Sequence, residues 1–509
     1  MTADLVWEAV VRSLEIAAAV SLLAGAAGIG LAWLVSRTDV PGGNGLASLL
    51  SVPYAIPAYL LGMAWVVLGN PSVGFFRHWL PATGSYGVLG IVLIEASVAF
   101  AFPFLELKAG FERMDPALEE AARMSGAGPL RVFRDVSFPL LRPALLNGML
   151  LAFLYAISSF GVPALLGLPV RKYTLTTLIY SRLRLGGAEG LKSGFELSLL
   201  LLAIAGACLA LSAWRTSRLR AAPLAGGKSS RPSLVRLGAW GRVLSGTVAW
   251  GFFFWAVILP WGALAISALA PVAGRYSPSE WTLGHLKYVV SLPDFREAVL
   301  NSLGLSLVMA TFVVGGGFLL GFEAIRKRKG WAQAWVQLAG IPFATPGTVL
   351  AMGVLFIAVV SARFGMPINE PLFMMAAAYG IKYAAVGARS MTMAFSQVDP
   401  VLEEAARVSG ASEPELLWTI WVPLLRKAIL AAFLLALLPM LTELTMSVLL
   451  TGPGAATLGT VLFDLQEYAD QPSAAALAWI LLSLALAVSL LTRILPNWPL
   501  GNDERKSRK

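Results

Sequence analysis

The chain has 509 residues, of which 57% are hydrophobic and 13% are charged, and its mean hydropathy is +0.73. Soluble domains carry about twice that share of charged residues, so the composition excludes an ordinary soluble protein. The net charge of +10 is typical of a membrane protein whose basic segments face anionic lipid, and it gives no reason to expect a nucleic-acid partner.

Eleven apolar runs are long enough to cross a bilayer as helices, because roughly 20 residues span a hydrocarbon core of about 30 Å. In chain order they are residues 14–35, 47–69, 87–107, 144–167, 196–214, 246–270, 297–321, 335–360, 371–393, 428–451 and 474–494. We therefore predict an all-α polytopic membrane protein of about 11 transmembrane helices.

One polar segment occurs twice without insertion or deletion. The sequence DPALEEAARMSGA at residues 115–127 returns as DPVLEEAARVSGA at residues 399–411. The same offset of 284 residues carries the likeness on through residues 115–144 and 399–428. Two such segments indicate two half-molecules that present the same surface to a partner outside the membrane.

A pair of prolines supports the same division of the chain. Pro53-Tyr-Ala-Ile-Pro57 returns as Pro342-Phe-Ala-Thr-Pro346 at an offset of 289, so the loops between the two repeats differ in length. The predicted domains are a first half with about five spans, a basic linker that serves as a cytoplasmic tether, and a second half with about six spans, in which run 246–270 has no counterpart. Their ranges are 1–214, 215–244 and 245–509.

Basic residues orient the spans. If the repeated segments are cytoplasmic, 26 of the 39 lysines and arginines lie in inner segments, counting Arg493 at the inner end of the last run, 11 lie in outer segments, and Lys382 and Arg389 lie within a span. The positive-inside rule favours this arrangement, with the N-terminus outside and the C-terminus in the cytoplasm. The outer loop 168–195 is an exception, with five basic residues and one glutamate. It is either an ordinary polar loop or a surface that attracts an acidic partner.

The repeated segment has the signals of a short helix. Asp115 is a good N-cap, Pro116 fits the first helical position, and Glu119 lies four residues before Arg123. Gly126 supplies a stop, as glycine commonly does after a helix. The second copy repeats these signals. A second short helix is expected to follow each copy and to end near Pro139 or Pro423, before the chain re-enters the membrane.

Small residues on this helix allow another surface to approach it closely. Both copies carry an alanine pair, at residues 121–122 and 405–406, which suits docking of a helix into a groove. A helix that lies on the lipid surface is the alternative, but it does not explain why both halves carry the same pattern.

At these residues the chain resembles the EAA-motif permease subunits of binding-protein-dependent ABC importers. Glu120-Ala-Ala-x3-Gly126-x9-Val-x-Phe-Pro139 carries the first motif, and Glu404-Ala-Ala-x3-Gly410-x9-Ile-x-Val-Pro423 carries the second. Val136 replaces the usual isoleucine, and Phe138 and Val422 replace the usual leucine. The resemblance covers essentially the whole chain.

The resemblance implies a type I ABC importer permease fold in a bacterial inner (plasma) membrane, with EAA loops at residues 115–145 and 399–429. It implies two ATP-binding cassette subunits and an extracytoplasmic substrate-binding protein as partners. ATP hydrolysis would occur on the partner subunits, so this chain is expected to be no enzyme and to bind no cofactor, while ATP and Mg stay on its partners. The implied ATPase-coupling residues are Glu119, Glu120, Ala121, Ala122, Gly126, Pro139, Glu403, Glu404, Ala405, Ala406, Gly410 and Pro423.

Two further stretches resemble the fused permeases of the ferric iron group. They are Ser158-Ser-Phe-Gly-Val-Pro-Ala-Leu-Leu-Gly167 and Glu443-Leu-Thr-Met-Ser-Val-Leu-Leu-Thr-Gly452. The resemblance implies transport of ferric iron by ATP-driven alternating access. Thiamine, phosphonate or polyamine are alternative substrates, and a gradient-driven secondary transporter is the alternative from another class.

Glu443 lies inside a predicted span, where an ionisable residue marks a transport pathway or a helix contact. By the 284-residue offset it is equivalent to Ser159. A hard trivalent cation prefers oxygen donors, so oxygen-bearing residues form a transient path and no stable metal site is predicted. Glu443 could instead hold neighbouring helices together, and Lys382 is expected to pair with a glutamate. The candidate pathway residues are Ser158, Ser159, Glu443, Thr442, Tyr155 and Glu95.

Overall fold

The computed structural model describes residues 3–80, 82–218, 234–366 and 368–494. Within them the chain forms α-helices joined by short loops, 3-10 turns and three π-helical turns, which confirms the predicted all-α architecture. Residues 219–233 of the predicted linker and the basic tail after residue 494 lie outside the described residues.

The first eleven helices precede the predicted linker or run into it. They are α1 (Ala3–Arg37), α2 (Gly43–Leu49), α3 (Ala58–Gly69), α4 (Val88–Ala99), α5 (Ala101–Arg113), α6 (Pro116–Met124), α7 (Pro129–Val132), α8 (Phe138–Ser158), α9 (Gly161–Gly167), α10 (Leu175–Arg184) and α11 (Gly187–Arg218).

Fourteen more helices follow in the described part of the chain. They are α12 (Ala239–Phe253), α13 (Leu259–Leu269), α14 (Gly284–Ser291), α15 (Pro293–Ile325), α16 (Gly330–Leu338), α17 (Gly340–Ala344), α18 (Gly347–Arg363), α19 (Pro371–Gln397), α20 (Pro400–Val408), α21 (Glu413–Leu416), α22 (Val422–Leu441), α23 (Thr445–Leu450), α24 (Leu458–Tyr468) and α25 (Gln471–Ile494).

Eight helical stretches of the described chain are long and apolar enough to cross a membrane. In two further places a sharp bend separates an apolar helical stretch from the helix that follows it, which is α3 in one case and α18 in the other. If each bent pair of helices forms one span, the number of spans rises to ten. The predicted run 371–393 is helical in α19 but includes Lys382 and Arg389. The eight stretches are Asp4–Arg37, Val88–Arg113, Pro129–Ser158, Gly187–Leu211, Ala239–Leu269, Pro293–Ile325, Glu413–Leu441 and Gln471–Leu491.

The repeated proline pairs explain the two bends. The axes change direction by 93° before α3 and by 103° before α18. Ile56 and Thr345, which precede Pro57 and Pro346, have extended backbone with ψ of 124° and 135°. A residue before proline is disfavoured in the helical region, so each predicted single span is broken in the middle.

By its internal contacts the chain forms two compact units. The first comprises residues 1–292, 346–353 and 462–482, and the second comprises residues 293–345, 354–461 and 483–509, in each case where described. In the first unit α1, α5 and α8 pack together. A Cβ at Gly28 would lie 2.9 Å from the Phe104 backbone nitrogen, so glycine lets α1 approach α5 closely.

In the second unit α15, α19 and α22 pack in the same way. A Cβ at Gly317 would overlap the Gly387 carbonyl group, and a Cβ at Gly321 would lie 3.0 Å from the Met391 carbonyl carbon. Gly28 and Gly317 are 289 residues apart, the offset of the proline repeat. The two units therefore use the same close approach between equivalent helices.

The end of the predicted tether is bound to the segment that follows α1. The Val235 N–H donates to the Arg37 carbonyl oxygen at 2.9 Å, and the Asp39 N–H donates to the Val235 carbonyl oxygen at 3.4 Å. The Leu237 N–H donates to Asp39 Oδ1 at 2.8 Å. Residues 235–237 of the predicted linker are therefore held against the segment that follows α1.

Candidate functional site

The two repeated segments fold as matching short helices, α6 and α20. Asp115 Oδ1 accepts from the Ala117 N–H at 2.9 Å, and Asp399 Oδ1 accepts from the Val401 N–H at 3.0 Å. Each aspartate thus caps a helix whose first residue is proline, as the sequence predicts.

Glycine ends both helices in the left-handed conformation. The φ angles of Gly126 and Gly410 are 84° and 89°. The next residue in each copy donates its N–H back to the helix, at 3.1 Å from Ala127 to Ala122 and at 3.0 Å from Ala411 to the equivalent alanine. This pattern closes the last turn and is the reason for glycine at these positions.

The first glutamate of each EAA segment points into the protein. Glu119 is 3% exposed, and Arg37 Nε donates to its two carboxylate oxygens at 2.9 and 3.1 Å. Ser137 Oγ donates to Glu119 Oε1 at 2.7 Å. The expected pair with Arg123 is present at 3.8 Å but is the longer contact. Glu119 therefore fastens α6 to α1 and to the π-helical turn that precedes α8.

Glu403 repeats this arrangement in the second unit. Arg326 Nε lies 2.7 Å from Glu403 Oε1, and the Trp421 indole N–H donates to the same oxygen at 2.9 Å. Arg407 is again more distant, at 3.8 Å. The arginine directly follows α15, and the indole comes from the π-helical turn before α22.

Sequence reasoning missed both arginine partners, although a signal for them exists. Arg37 and Arg326 are 289 residues apart, which is the offset of the proline repeat. Ser137 and Trp421 are 284 apart, so the same buried carboxylate is held by a hydroxyl in one copy and by an indole in the other. When the offsets of 289 and 284 residues are applied outside the obvious repeats, they identify Arg326 as the counterpart of Arg37 and Trp421 as the counterpart of Ser137.

The opposite face of each short helix is open. Glu120, Glu404 and the first alanine of each pair are exposed. Met124 and Val408, at equivalent positions, are 89% and 90% exposed. Of the predicted coupling residues, the outward set is thus the second glutamate and its small or apolar neighbours, whereas Glu119 and Glu403 anchor the helix from behind.

The second short helix does not end at the proline in either copy, so this expectation is wrong. Residues 133–137 and 417–421 form π-helical turns that run straight into α8 and α22. The wider π-turn leaves room for the rings of Pro139 and Pro423, and proline needs no N–H bond there. The chain therefore enters each following span as one continuous helix.

Two predicted spans break where the pathway candidates lie. The run 144–167 is divided between α8 and α9 after Ser158, and the run 428–451 is divided between α22 and α23 at Thr442. At the second break Glu443 Oε2 accepts from the N–H groups of Met446 and Ser447 at 2.8 and 3.1 Å. Glu443 is only 9% exposed. Its carboxylate caps the start of the helix that follows the break.

The two breaks use the same chemistry with the groups exchanged. Ser159 Oγ donates to Glu95 Oε1 at 2.5 Å. Tyr379, which is equivalent to Glu95 by the 284 offset, places its hydroxyl 2.7 Å from Ser447 Oγ, which lies 3.3 Å from Glu443 Oε2. Acid and hydroxyl have therefore changed places between the two copies, and each break keeps one carboxyl group.

The remaining pathway candidates form local contacts. Ser158 Oγ and Thr442 Oγ1 donate to carbonyl oxygens one turn earlier, at 2.6 and 2.9 Å. The Tyr155 ring packs against Phe102 with ring centroids 5.4 Å apart. Glu95 is fully buried, and its second oxygen has no hydrogen-bond partner in the described part of the chain.

The expected ion pair of Lys382 is not formed with Glu443. Lys382 Nζ donates to the Thr345 carbonyl oxygen at 3.1 Å, and among the described residues no ion pair within 4 Å joins it to Glu443. Thr345 follows α17, and carbonyl groups at a helix end lack an intrahelical partner. The bend before Pro346 therefore supplies the acceptor that a glutamate was expected to supply.

In the described residues no group of three or more His, Cys, Asp and Glu side chains is arranged to hold a metal ion.

Comparison with known proteins places both copies in one family. The family described as "Binding-protein-dependent transport system inner membrane component" matches residues 24–216 and again residues 292–498. The molybdenum transport system permease protein ModB of Escherichia coli (strain K12) is 31% identical over 223 residues, which cover 42% of this chain and 96% of ModB.

Two further relatives are permeases for other ions. The Fe(3+)-transport system permease protein FbpB 2 of Haemophilus influenzae is 23% identical over 420 residues, covering 82% of this chain and 75% of that protein. The sulfate transport system permease protein CysT of Salmonella typhimurium is 32% identical over 144 residues, covering 28% of this chain and 52% of CysT. The chain therefore belongs to the family of inner membrane components of binding-protein-dependent transport systems, as an ABC importer permease in which two copies of the component are fused.

Proposed function

We propose that α6 and α20 are coupling helices, each docking into one ATP-binding cassette subunit on the cytoplasmic side, with the N-terminus of the chain outside. The observation that carries this proposal is the matched anchoring of Glu119 and Glu403. Arg37 at the end of α1 fixes α6 from behind, and Arg326 directly after α15 fixes α20, while the outer face of both helices stays open. A helix held in this way transmits a push from a bound partner to the spans behind it.

The proposed cycle is ATP-driven alternating access. ATP binding closes the two ATPase subunits, the coupling helices move with them, and an extracytoplasmic binding protein delivers the substrate. The test is reconstitution in lipid vesicles with the ATPase, the binding protein and a labelled substrate. Uptake that needs ATP and both partners is expected. Uptake driven by an ion gradient without ATPase would instead identify a secondary transporter.

For the substrate we propose an inorganic ion, with ferric iron as the first candidate. The Fe(3+) permease relative supports this choice because its match extends over 420 residues of the chain, so it follows the fused organisation. A tetrahedral oxyanion is the second candidate, because ModB is more similar in sequence over one copy. The boundaries 1–214, 215–244 and 245–509 of the two halves remain predictions.

A comparison of the uptake of ferric iron with the uptake of molybdate decides between the two candidate substrates. The vesicles receive binding protein loaded either with radioactive ferric iron or with radioactive molybdate, at equal concentration. Iron uptake together with iron-stimulated ATP hydrolysis is expected. Stimulation of ATP hydrolysis by molybdate alone would identify an oxyanion as the substrate. Stimulation by neither ion would leave thiamine, phosphonate and polyamine as the candidate substrates.

A further inference from the structure

Two helices at equivalent positions of the repeat, α10 and α24, contact each other, and the contacting residues of α24, 463–468, belong to the first unit. α10 follows Thr174 and α24 follows Thr457, which is 283 residues later. Both helices start in the same way: the Thr174 N–H donates to Thr177 Oγ1 at 2.9 Å, and the Thr457 N–H donates to Thr460 Oγ1 at 2.8 Å. The two starts fix the correspondence between α10 and α24 residue by residue.

Buried aromatic rings join the two helices. Tyr180 and Phe463 are equivalent residues, 283 apart, and their ring centroids are 5.8 Å apart. The ring of Phe160, which lies at the break after α8, is 5.1 Å from Tyr180 and 5.8 Å from Phe463. All three side chains are buried, and burial raises the pKa of the Tyr180 phenol to about 12, so the cluster is uncharged at neutral pH.

An ion pair joins the same helices one turn further on. Arg184 and Glu467 are also 283 residues apart, and Arg184 Nη2 lies 3.6 Å from Glu467 Oε1. Arg184 also donates to the Tyr468 hydroxyl. The two charged side chains are 52% and 40% exposed, so they meet at the edge of the aromatic cluster.

The position of these contacts follows from the chain path. α8 leads away from the first EAA segment and α22 leads away from the second, and α10 and α24 come after their far ends. A residue that contacts its own equivalent lies where the two copies of a repeat meet, as in a twofold interface. Transport pathways of repeat-built transporters run along such a meeting line.

We propose that Phe160, Tyr180 and Phe463 close the transport pathway on the side opposite the first EAA segment, and that Arg184 with Glu467 and Tyr468 forms a clasp that keeps it closed. This inference rests on the proposed function as an ATP-driven importer. A buried aromatic cluster leaves no room for an ion, so α10 and α24 separate when substrate enters. The clasp sets how often they separate without a signal from the binding protein.

The charge-reversal variants Arg184→Glu and Glu467→Arg test the clasp in the assembled complex with its ATPase. An exposed ion pair changes a two-state equilibrium by about two- to fivefold. We expect the ATP hydrolysis rate measured without binding protein to change by about that factor in each single variant, with fewer substrate ions moved per ATP. The double variant Arg184→Glu/Glu467→Arg restores the pair with reversed polarity and is expected to return toward the wild-type rate.

Lys192→Glu is the matched control. Lys192 and Glu196 form an ion pair 4.0 Å long within α11, the helix that follows α10. Because both residues belong to one helix, this pair does not join two helices. Its reversal is expected to leave the hydrolysis rate unchanged. If Arg184→Glu behaves like Lys192→Glu in a complex that assembles and transports, the clasp is wrong. If the wild-type complex shows no ATP-dependent uptake, the proposed function is wrong instead.

A labelling experiment tests the aromatic closure separately. Cys208 is the only cysteine of the chain, so Phe463→Cys in a Cys208→Ser background places one thiol in the cluster. A water-soluble methanethiosulfonate reagent is expected to react about two- to fivefold faster with this thiol when Arg184→Glu is added. Equally fast labelling with and without Arg184→Glu would show that the clasp does not control access to Phe463 and would overturn the inference.

Discussion

Arg37 and Glu119 form an ion pair in which the two side chains are only 3% and 4% exposed, and this pair ties the repeated helix α6 to α1. Arg326 and Glu403 form its counterpart with 8% and 5% exposed. The glutamate of an EAA segment that is nearer the helix start therefore belongs to the structure behind the proposed docking face. This relationship separates anchoring from docking in two adjacent glutamates.

Glu119→Ala is expected to destabilise the protein strongly, because it leaves the Arg37 charge buried and unpaired. The loss is on the order of 3–5 kcal/mol when one partner of a buried pair is removed. Glu120→Ala, on the exposed face, is the control and is expected to leave the unfolding temperature in detergent unchanged while weakening ATPase binding. An apolar double replacement, Arg37→Met/Glu119→Met, is expected to be less damaging than Glu119→Ala. Equal unfolding temperatures for the two alanine variants would contradict the anchoring role.

Gly126→Ala is expected to weaken ATPase coupling through backbone strain alone. A Cβ at Gly126 would meet no atom within 4 Å, but its φ of 84° costs an L-residue about 1–2 kcal/mol. Gly128→Ala is the matched control, because Gly128 has a φ of −69° and equally open surroundings. The measurement is co-purification of the ATPase and ATP-driven uptake. Identical behaviour of the two variants would show that the left-handed stop is dispensable.

Glu443→Gln and Glu443→Ala separate the capping role of Glu443 from a pathway role. Glutamine keeps an oxygen that accepts from the N–H groups of Met446 and Ser447, but it removes the charge. If Glu443 acts on a passing cation, both variants lose uptake while the ATPase stays bound, and this is the expected result. Normal uptake in Glu443→Gln with impaired uptake in Glu443→Ala would assign Glu443 a capping role only.

The two docking surfaces are expected to respond differently to salt, because their flanks carry opposite charges. Arg131 and Glu415 occupy equivalent positions, both exposed, and Arg134 and Glu413 add to the contrast with 73% and 58% exposure. Raising salt screens exposed charges, so ATPase binding to one surface weakens more than binding to the other.

A titration of labelled ATPase onto the permease at two salt concentrations measures this difference. Arg131→Glu is expected to make the first site respond to salt as the second site does. Lys192→Glu, which lies outside both EAA segments in the sequence, serves as the control for a change in net charge. Two sites with one common salt dependence in the wild type would contradict the expected inequivalence.

Local signals account for the features that could be predicted. The aspartate caps, Pro116, the left-handed Gly126 and the lengths of the apolar runs all depend on residues within one or two turns. The breaks at Ser159 and Glu443 were missed because each apolar run continues through them, and hydropathy alone does not register a turn made by side-chain caps. The π-turns before Pro139 and Pro423 were missed for a similar reason, since proline usually ends a helix.

Composition, repeat offsets and EAA residues are properties of the linear chain, and they suffice to identify a two-copy membrane permease of a binding-protein-dependent importer. The packing of the helices is needed to show which glutamate faces inward, that Arg37 and Arg326 hold it, and that acid and hydroxyl are exchanged between the two helix breaks. Those contacts join residues that are 64 to 82 positions apart in the sequence. They depend on which helices pack together, and a one-dimensional pattern does not specify that packing.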